Sequence, residues 1–262
     1  MNTHTSMVYV PVDSPVHSLN PFFKLISFLA LVIAVINAGR PAEYIIPVLI
    51  CIAAVIVSEI PFSCAFGYIR KMWLFFAVIF FMNFCFYDSS EPFLKLWILT
   101  PSYEGLIQGI NVVIRVFLVL LLSNILTAST PPIALTDAFS LLLSPLRLFR
   151  IPVGLIAMIM SVAIQFVPTL IKEADTIKRA QTARGAGFES HNIFKKAKAI
   201  LPMAIPIFIN AFKRADELSL AMEARGYSGT KGQKLPSMPH ISIKDVILFI
   251  ISLSLCILLI IF

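Results

Sequence analysis

Charge is scarce in this 262-residue chain: Asp, Glu, Lys and Arg make up 13% of it, hydrophobic residues 58%, and the mean hydropathy is +0.90. A soluble domain carries roughly 25% charged and about 45–50% apolar residues, so an ordinary soluble globule is excluded. Cysteine is also rare. Cys51, Cys64, Cys85 and Cys256 lie in or beside apolar runs without close pairing, whereas disulfide or metal chemistry would need spacings such as C-x-x-C. They read as small buried hydrophobes. The four histidines, His4, His17, His191 and His240, are scattered over expected loops with no ligand spacing. No phosphate loop is present: Gly229 to Lys234 (GTKGQK) lacks the G-x-x-x-x-G-K-[ST] spacing and the strand-to-helix context, and reads as a linker. No constellation of His, Asp, Glu, Cys or Ser carries chemistry. The chain is therefore expected to be neither an enzyme nor a holder of metal or cofactor, and any nucleotide hydrolysis must come from partners.

What the chain does have is apolar runs. Phe22 to Ala38, Tyr44 to Val57, Trp73 to Tyr87, Leu106 to Leu126 and Val246 to Phe262 hold few charges. Most approach the ~20 residues that cross a hydrocarbon core of roughly 30 Å, and amphipathic flanks can complete the shorter ones. The first run follows a polar segment and has no small-residue cleavage signal after it, so it is expected to be a retained span. The expected fold is all-α and polytopic, with about five transmembrane helices, a short amphipathic helix and two long helices projecting into the cytoplasm. Residues 1–128 form an N-terminal transmembrane bundle, 129–230 an amphipathic region, and 231–262 a linker and final span.

Charge separates the halves. Residues 1–128 hold six basic and six acidic residues, residues 129–262 fifteen and eight, for a net +7. Basic loops stay in the cytoplasm. Arg70 and Lys71 therefore belong inside, and the connection Asp88 to Glu104, with only Lys95 against Asp88, Glu91 and Glu104, belongs outside. Glu59, just before Ile60-Pro61, falls at a cytoplasmic helix end, at the interface. This places the N-terminus inside and the C-terminus outside. The basic surplus suits anionic lipid headgroups; nucleic acid is not expected of so apolar a chain.

The segment TASTPP (Thr127 to Pro132) signals a helix start, with Thr130 as its cap, and Ile133 to Leu148 reads as a short amphipathic helix interrupted at Ser144-Pro145. Two long helices follow, at about Val153 to Arg184 and Phe194 to Arg225, each roughly 45–48 Å long. Their first halves are apolar and their second halves charged. The prolines Pro168, Pro202 and Pro206 are expected to kink them. The apolar halves either cross the membrane or dip into it at one end; two extra crossings would preserve the topology.

Both long helices end in the same pattern. Residues 174–185 read ADTIKRAQTARG and residues 215–226 ADELSLAMEARG, identical at six of twelve positions without a gap. Ala183-Arg184-Gly185 and Ala224-Arg225-Gly226 close them. Glycine just past a helix permits the left-handed closing turn, arginine complements the negative helix end and suits bidentate recognition of a carboxylate, and alanine keeps the tip narrow. Two equivalent plugs point to a partner with two equivalent sockets, such as a dimer of similar cytoplasmic subunits.

In these residues the second half resembles the transmembrane T component of energy-coupling-factor importers, a branch of the ABC transporters for vitamins and transition-metal ions. The resemblance covers roughly residues 17–227 and rests on the run from Thr130 to Phe188, on LPMAIPIFINAFKRADELSLAMEARGY (201–227), and on the paired Ala-Arg-Gly ends. The opening SLNPFFKLISF is similar through Asn20, Pro21, Lys24 and Leu25, with Phe22 in place of the family's usual arginine; Gln165 likewise stands where arginine is usual. The resemblance implies an energy-coupling scaffold in a prokaryotic cell membrane. Arg184 and Arg225 would each dock on one of two cytoplasmic ABC ATPase subunits, as a homo- or heterodimer. The apolar halves and the short helix would support a small membrane substrate-binding subunit, and neither ATP nor substrate would bind this chain.

One polar group lies deep in a span. Arg115 sits mid-way along the fourth run with Gln108 and Asn111 on the same helical face, a costly placement in a membrane. A structural pairing, with Asn83 or Asn37 as neighbours, is favoured over an ion or substrate pathway. Gly105 and Gly109 form a G-x-x-x-G that marks close helix packing. The competing functional reading is a secondary transporter or channel with its own pathway, which would call for repeats within the spans and several intramembrane charges.

Overall fold

Asparagine followed by proline starts the first helix. The Asn20 side chain accepts a hydrogen bond from the Phe22 N–H at 3.0 Å, and Pro21, with no N–H to lose, takes the first helical position. This helix, α1 (Pro21–Asn37), leads through a 3-10 turn (Pro41–Tyr44) to α2 (Ile45–Ser58), α3 (Phe62–Lys71), α4 (Trp73–Phe86), α5 (Tyr103–Ser129) and α6 (Pro132–Leu142). A second 3-10 segment (Ser144–Phe149) precedes α7 (Val153–Ala183), α8 (Ile193–Ala224) and α9 (Ile243–Ile261). The computed structural model describes residue 12 and residues 14–86, 101–188, 193–227 and 241–261. Among these no strand occurs, and the protein is an all-α polytopic membrane protein. Four segments, Pro41–Ser58, Tyr103–Ser129, Val153–Ala183 and Ile243–Ile261, are long and apolar enough to span a bilayer, and Pro21–Asn37, Trp73–Phe86 and Pro132–Leu142 are shorter apolar helices. The acidic connection over residues 88–100, the linker over 228–240, and His4, His191 and His240 lie outside the described residues.

Three local expectations change. The basic connection after α2 is itself helical: α3 carries Arg70 and Lys71 in its last turn, where cations oppose the helix dipole. Before it, Glu59 takes a left-handed conformation (φ 53°) that ends α2, its N–H donating to the Ile56 carbonyl. Thr130 does not cap the short helix: its backbone is extended and its buried hydroxyl lacks a hydrogen-bond partner. The first bond into α6 runs instead from the Leu135 N–H to the Pro131 carbonyl. Cys51, Cys85 and Cys256 are buried, but Cys64, on α3, is exposed.

The chain forms two compact units, residues 1–139 with 238–262, and residues 140–237. In the first, α1 has its most extensive contact with α9, which comes more than 200 residues later. Phe23 meets Phe249 edge-on at 6.0 Å. Ala34, Val35, Leu118, Leu121, Leu255 and Leu259 belong to one continuous buried cluster. The α4–α5 contact depends on the two glycines. A Cβ on Gly109 would lie 3.2 Å from both the ring and the carbonyl of Phe80, and one on Gly105 3.0 Å from the Asn83 carbonyl. Any side chain there would push the helices apart.

Polar ties join the helix ends of this unit. Asp245 is 1% exposed. Its carboxylate accepts from the Asn20 N–H at 2.8 Å and the Ser242 N–H at 2.7 Å, so one side chain closes the first turn of α9 and fastens the start of α1. The buried Lys24 donates to the Ser129 carbonyl at 3.1 Å, the end of α5, and to the His17 carbonyl at 3.4 Å.

The second unit has two long rods. α7 and α8, of 31 and 32 residues, each reach about 46–48 Å. Pro168 lies within α7, and Pro202 and Pro206 within α8, without ending either helix.

Candidate partner-docking site

The two repeated helix ends adopt the same hydrogen-bond set. At the first, Arg184 N–H donates to the Ala180 and Gln181 carbonyls, Gly185 N–H to Thr182 at 2.9 Å, and Ala186 N–H back to Gln181 at 3.0 Å. At the second, Arg225 N–H donates to Ala221 and Met222, Gly226 N–H to Glu223 at 2.9 Å, and Tyr227 N–H to Met222 at 3.0 Å. Every donor and acceptor is displaced by 41 residues. This is a Schellman closure, which needs a left-handed residue just past the helix. Gly185 (φ 84°) and Gly226 (φ 79°) supply it. Neither glycine is chosen for space, since nothing lies within 4 Å of an added Cβ at either. The choice is conformational.

The closure turns the chain away just past each arginine. Ala183, Arg184, Ala224 and Arg225 are all exposed, and among the described residues neither guanidinium makes an ion pair. Two charged groups with five donors each stand free at helix tips, preceded by a residue too small to crowd them. Such tips can insert into a groove and meet carboxylates or carbonyls there.

Behind the tips the repeat extends further than the motif. The less exposed positions of the two helices also correspond at the 41-residue offset: Phe166 and Ile207, Leu170 and Ala211, Glu173 and Arg214, Ile177 and Leu218, Gln181 and Met222. At one level the helices are joined by polar groups. Asn210 of α8 donates its amide to Glu173 Oε1 of α7, and Arg214 Nη2 lies 3.9 Å from Glu173 Oε2. This is an ion pair beyond hydrogen-bonding range, and Oε2 is buried with no hydrogen bond of its own. Sequence reading passed over these residues. The signal was opposite charges at equivalent places of the repeat, one step before the matched twelve.

The deep polar residues of the first unit form a corner. Arg115 Nη2 donates to the Ala38 carbonyl at 2.6 Å and its Nε to the Tyr44 hydroxyl at 3.2 Å, while that hydroxyl donates to the same carbonyl at 2.8 Å. Asn111 Nδ2 reaches the Gly39 carbonyl at 3.4 Å, and Gln108 lies half-buried a turn away. Arg115 thus closes the C-terminal end of α1, where carbonyls lack intrahelical donors. Asn37, next to Ala38 in the chain, and Asn83 each donate their side-chain amide to a carbonyl four residues back in their own helix. No group of three or more His, Cys, Asp or Glu able to hold a metal occurs among the described residues.

The family model of the cobalt transport proteins matches residues 13–236, a span that takes in both arginine tips. The chain belongs to this family. Its relatives include the energy-coupling factor transporter transmembrane protein EcfT of Acidaminococcus fermentans, 37% identical over 228 residues covering 86% of this chain and 84% of the relative. EcfT of Bacillus subtilis is 36% identical over 225 residues (86% and 85%), and that of Brevibacillus brevis 34% over 249 residues (95% and 94%). This member of the cobalt transport protein family is therefore a transmembrane component of an energy-coupling-factor transporter, a membrane transporter subunit.

Proposed function

We propose that the chain couples two cytoplasmic ABC ATPase subunits to a separate small membrane subunit that binds a vitamin or a transition-metal ion. Arg184 and Arg225 each enter a groove on one ATPase, so motion of the ATPase pair is delivered to α7 and α8. The observation that carries this reading is the duplicated tip: two exposed arginines, held by one closing geometry, at the ends of two long helices. A single helix stop needs no function. Two identical ones fit a dimeric partner.

The remainder of the machine follows from exposed apolar surface. On α8, Leu201, Phe208 and Phe212 are each about two-thirds exposed, and Ile159, Val167 and Ile171 of α7 at least half exposed. Patches of this kind mark lipid or a protein partner, and the substrate-binding subunit is the occupant proposed here. The distribution of basic residues supports a cytoplasmic N-terminus and an outside C-terminus. This chain hydrolyses no ATP; its partners do.

Co-purification tests the reading. Losing one partner of a desolvated charge pair costs about 2–5 kcal/mol, roughly 30-fold or more in affinity. Arg184→Glu or Arg225→Glu alone should weaken retention of the ATPases, and the double change should abolish it at unchanged membrane insertion. Wild-type recovery of ATPases with the double variant refutes the docking role. Substrate uptake by vesicles holding this polypeptide alone would establish the competing reading, a secondary transporter or channel.

A further inference from the structure

We propose that Glu173, Asn210 and Arg214 form a latch that sets the spacing of the two arginine tips, and that they are positioning residues for coupling. The proposal rests on the docking role of Arg184 and Arg225 for its consequence, but not for its geometry.

The latch is placed symmetrically. Arg184 follows Glu173 by eleven positions, and Arg225 follows Arg214 by eleven. Each arm from the latch to its tip is therefore about 16 Å long. Both arms, residues 174–183 and 215–224, are free of proline and glycine, so each moves as a stiff rod. The prolines lie on the other side: Pro168 comes before Glu173, and Pro202 and Pro206 before Asn210. Bending is thus concentrated behind the latch and excluded in front of it. With a 16 Å arm, a rotation of about 10° at the latch displaces a tip by about 3 Å, a whole hydrogen-bond length. Small changes at this point decide whether an arginine reaches its socket.

The chemistry suits a control point. Glu173–Arg214 is the ion pair found between α7 and α8 among the described residues. Asn210 occupies one carboxylate oxygen, while the other is buried, accepts no hydrogen bond, and faces Arg214 at 3.9 Å. A buried carboxylate oxygen left unsatisfied is costly, and a slight turn of α8 about α7 would give Arg214 a direct hydrogen bond to it. The Asn210 bond therefore holds the arms at the present angle, and a direct bond from Arg214 would favour a second, tighter one. Away from this level, the less exposed corresponding positions are Phe166 and Ile207, Leu170 and Ala211, and Ile177 and Leu218, all apolar, with Gln181 and Met222 nearest the tips. Ridges and grooves of this kind set a crossing angle only to within about 15–20°, and the polar group adds a directional constraint at one level.

The test measures tip spacing in the full chain. Spin labels at Thr182→Cys and Glu223→Cys, equivalent exposed positions, are introduced with Cys51, Cys85 and Cys256 replaced by Ala and Cys64 by Ser. Their distance distribution is read by pulsed dipolar spectroscopy in nanodiscs. Glu173→Arg and Arg214→Glu should each broaden the distribution about twofold or shift its centre by about 3 Å, as the lever geometry requires. The exchanged pair Glu173→Arg with Arg214→Glu should restore it, and the mild Glu173→Gln, which keeps an oxygen for Asn210, should broaden it less than either. Unchanged spacing in the single variants, or an exchanged pair no narrower than the singles, overturns the latch. The docking reading fails separately: if ATPases are retained by the double tip variant while the exchange restores spacing, the latch stands without it.

Discussion

The two units of this protein are stabilised in opposite ways. In the first, a third of the residues in the most apolar stretch of α5 are buried, and 28% in Pro41–Ser58 and in that of α9; in α7 the figure is 6%. The bundle has a continuous apolar core and buried polar ties, with Asp245, Lys24, Asn111 and Arg115 all bonded to backbone groups distant in the chain, at or just beyond helix ends. The rods keep many apolar and charged side chains on the outside, and among the described residues Glu173, Asn210 and Arg214 join them by polar groups. A bundle built this way resists change. Rods built this way have surface to offer partners, and little internal packing to oppose movement.

The contrast orders what substitutions should do. The largest loss of stability is expected at Gly109→Leu, because a Cβ there already crowds the Phe80 ring and carbonyl at 3.2 Å. Separating α4 from α5 should cost about 3 kcal/mol or more, read as a fall in thermal midpoint or in the yield of monodisperse protein in detergent. Next comes Arg115→Leu, which strips charged donors from the Ala38 carbonyl and the Tyr44 hydroxyl. A hydrogen bond to a charged group is worth about 1.5–3 kcal/mol, and the same measurement should fall within that range, with Arg115→Lys recovering part of it. The smallest effect on stability is expected at Gly185→Ala. Nothing crowds the new Cβ, so the cost is that of a left-handed alanine, about 1–2 kcal/mol, confined to one closing turn. The bundle's midpoint should not move, yet ATPase retention should drop. If Gly185→Ala lowers the midpoint as much as Gly109→Leu, the two units are not held independently and the comparison fails.

Much of this architecture was written in local sequence. The apolar runs became helices because their length and lack of charge leave the backbone no partner in lipid but itself. The Ala-Arg-Gly repeat became two matched closures because glycine alone takes φ near +80° without strain, and G-x-x-x-G became a close helix contact because nothing larger fits. Where local signals competed, reading failed. Thr130 looks like a cap, but the following prolines place Pro131 at that position, leaving its hydroxyl buried and unused. The ten residues of α3 were too short a stretch, between spans, to stand out as a helix.

By itself, then, the sequence determined the class, the order of the long apolar helices and of the two rods, and the two arginine tips, since each depends on residues adjacent along one helix. Only the tertiary structure decided what Arg115 is bonded to, that α9 returns to lie along α1, that Asp245 ties the two together, and that Glu173 meets Asn210 and Arg214. Those pairings join groups 37 to more than 200 residues apart. No helical period or short spacing encodes such distances; packing alone fixes them.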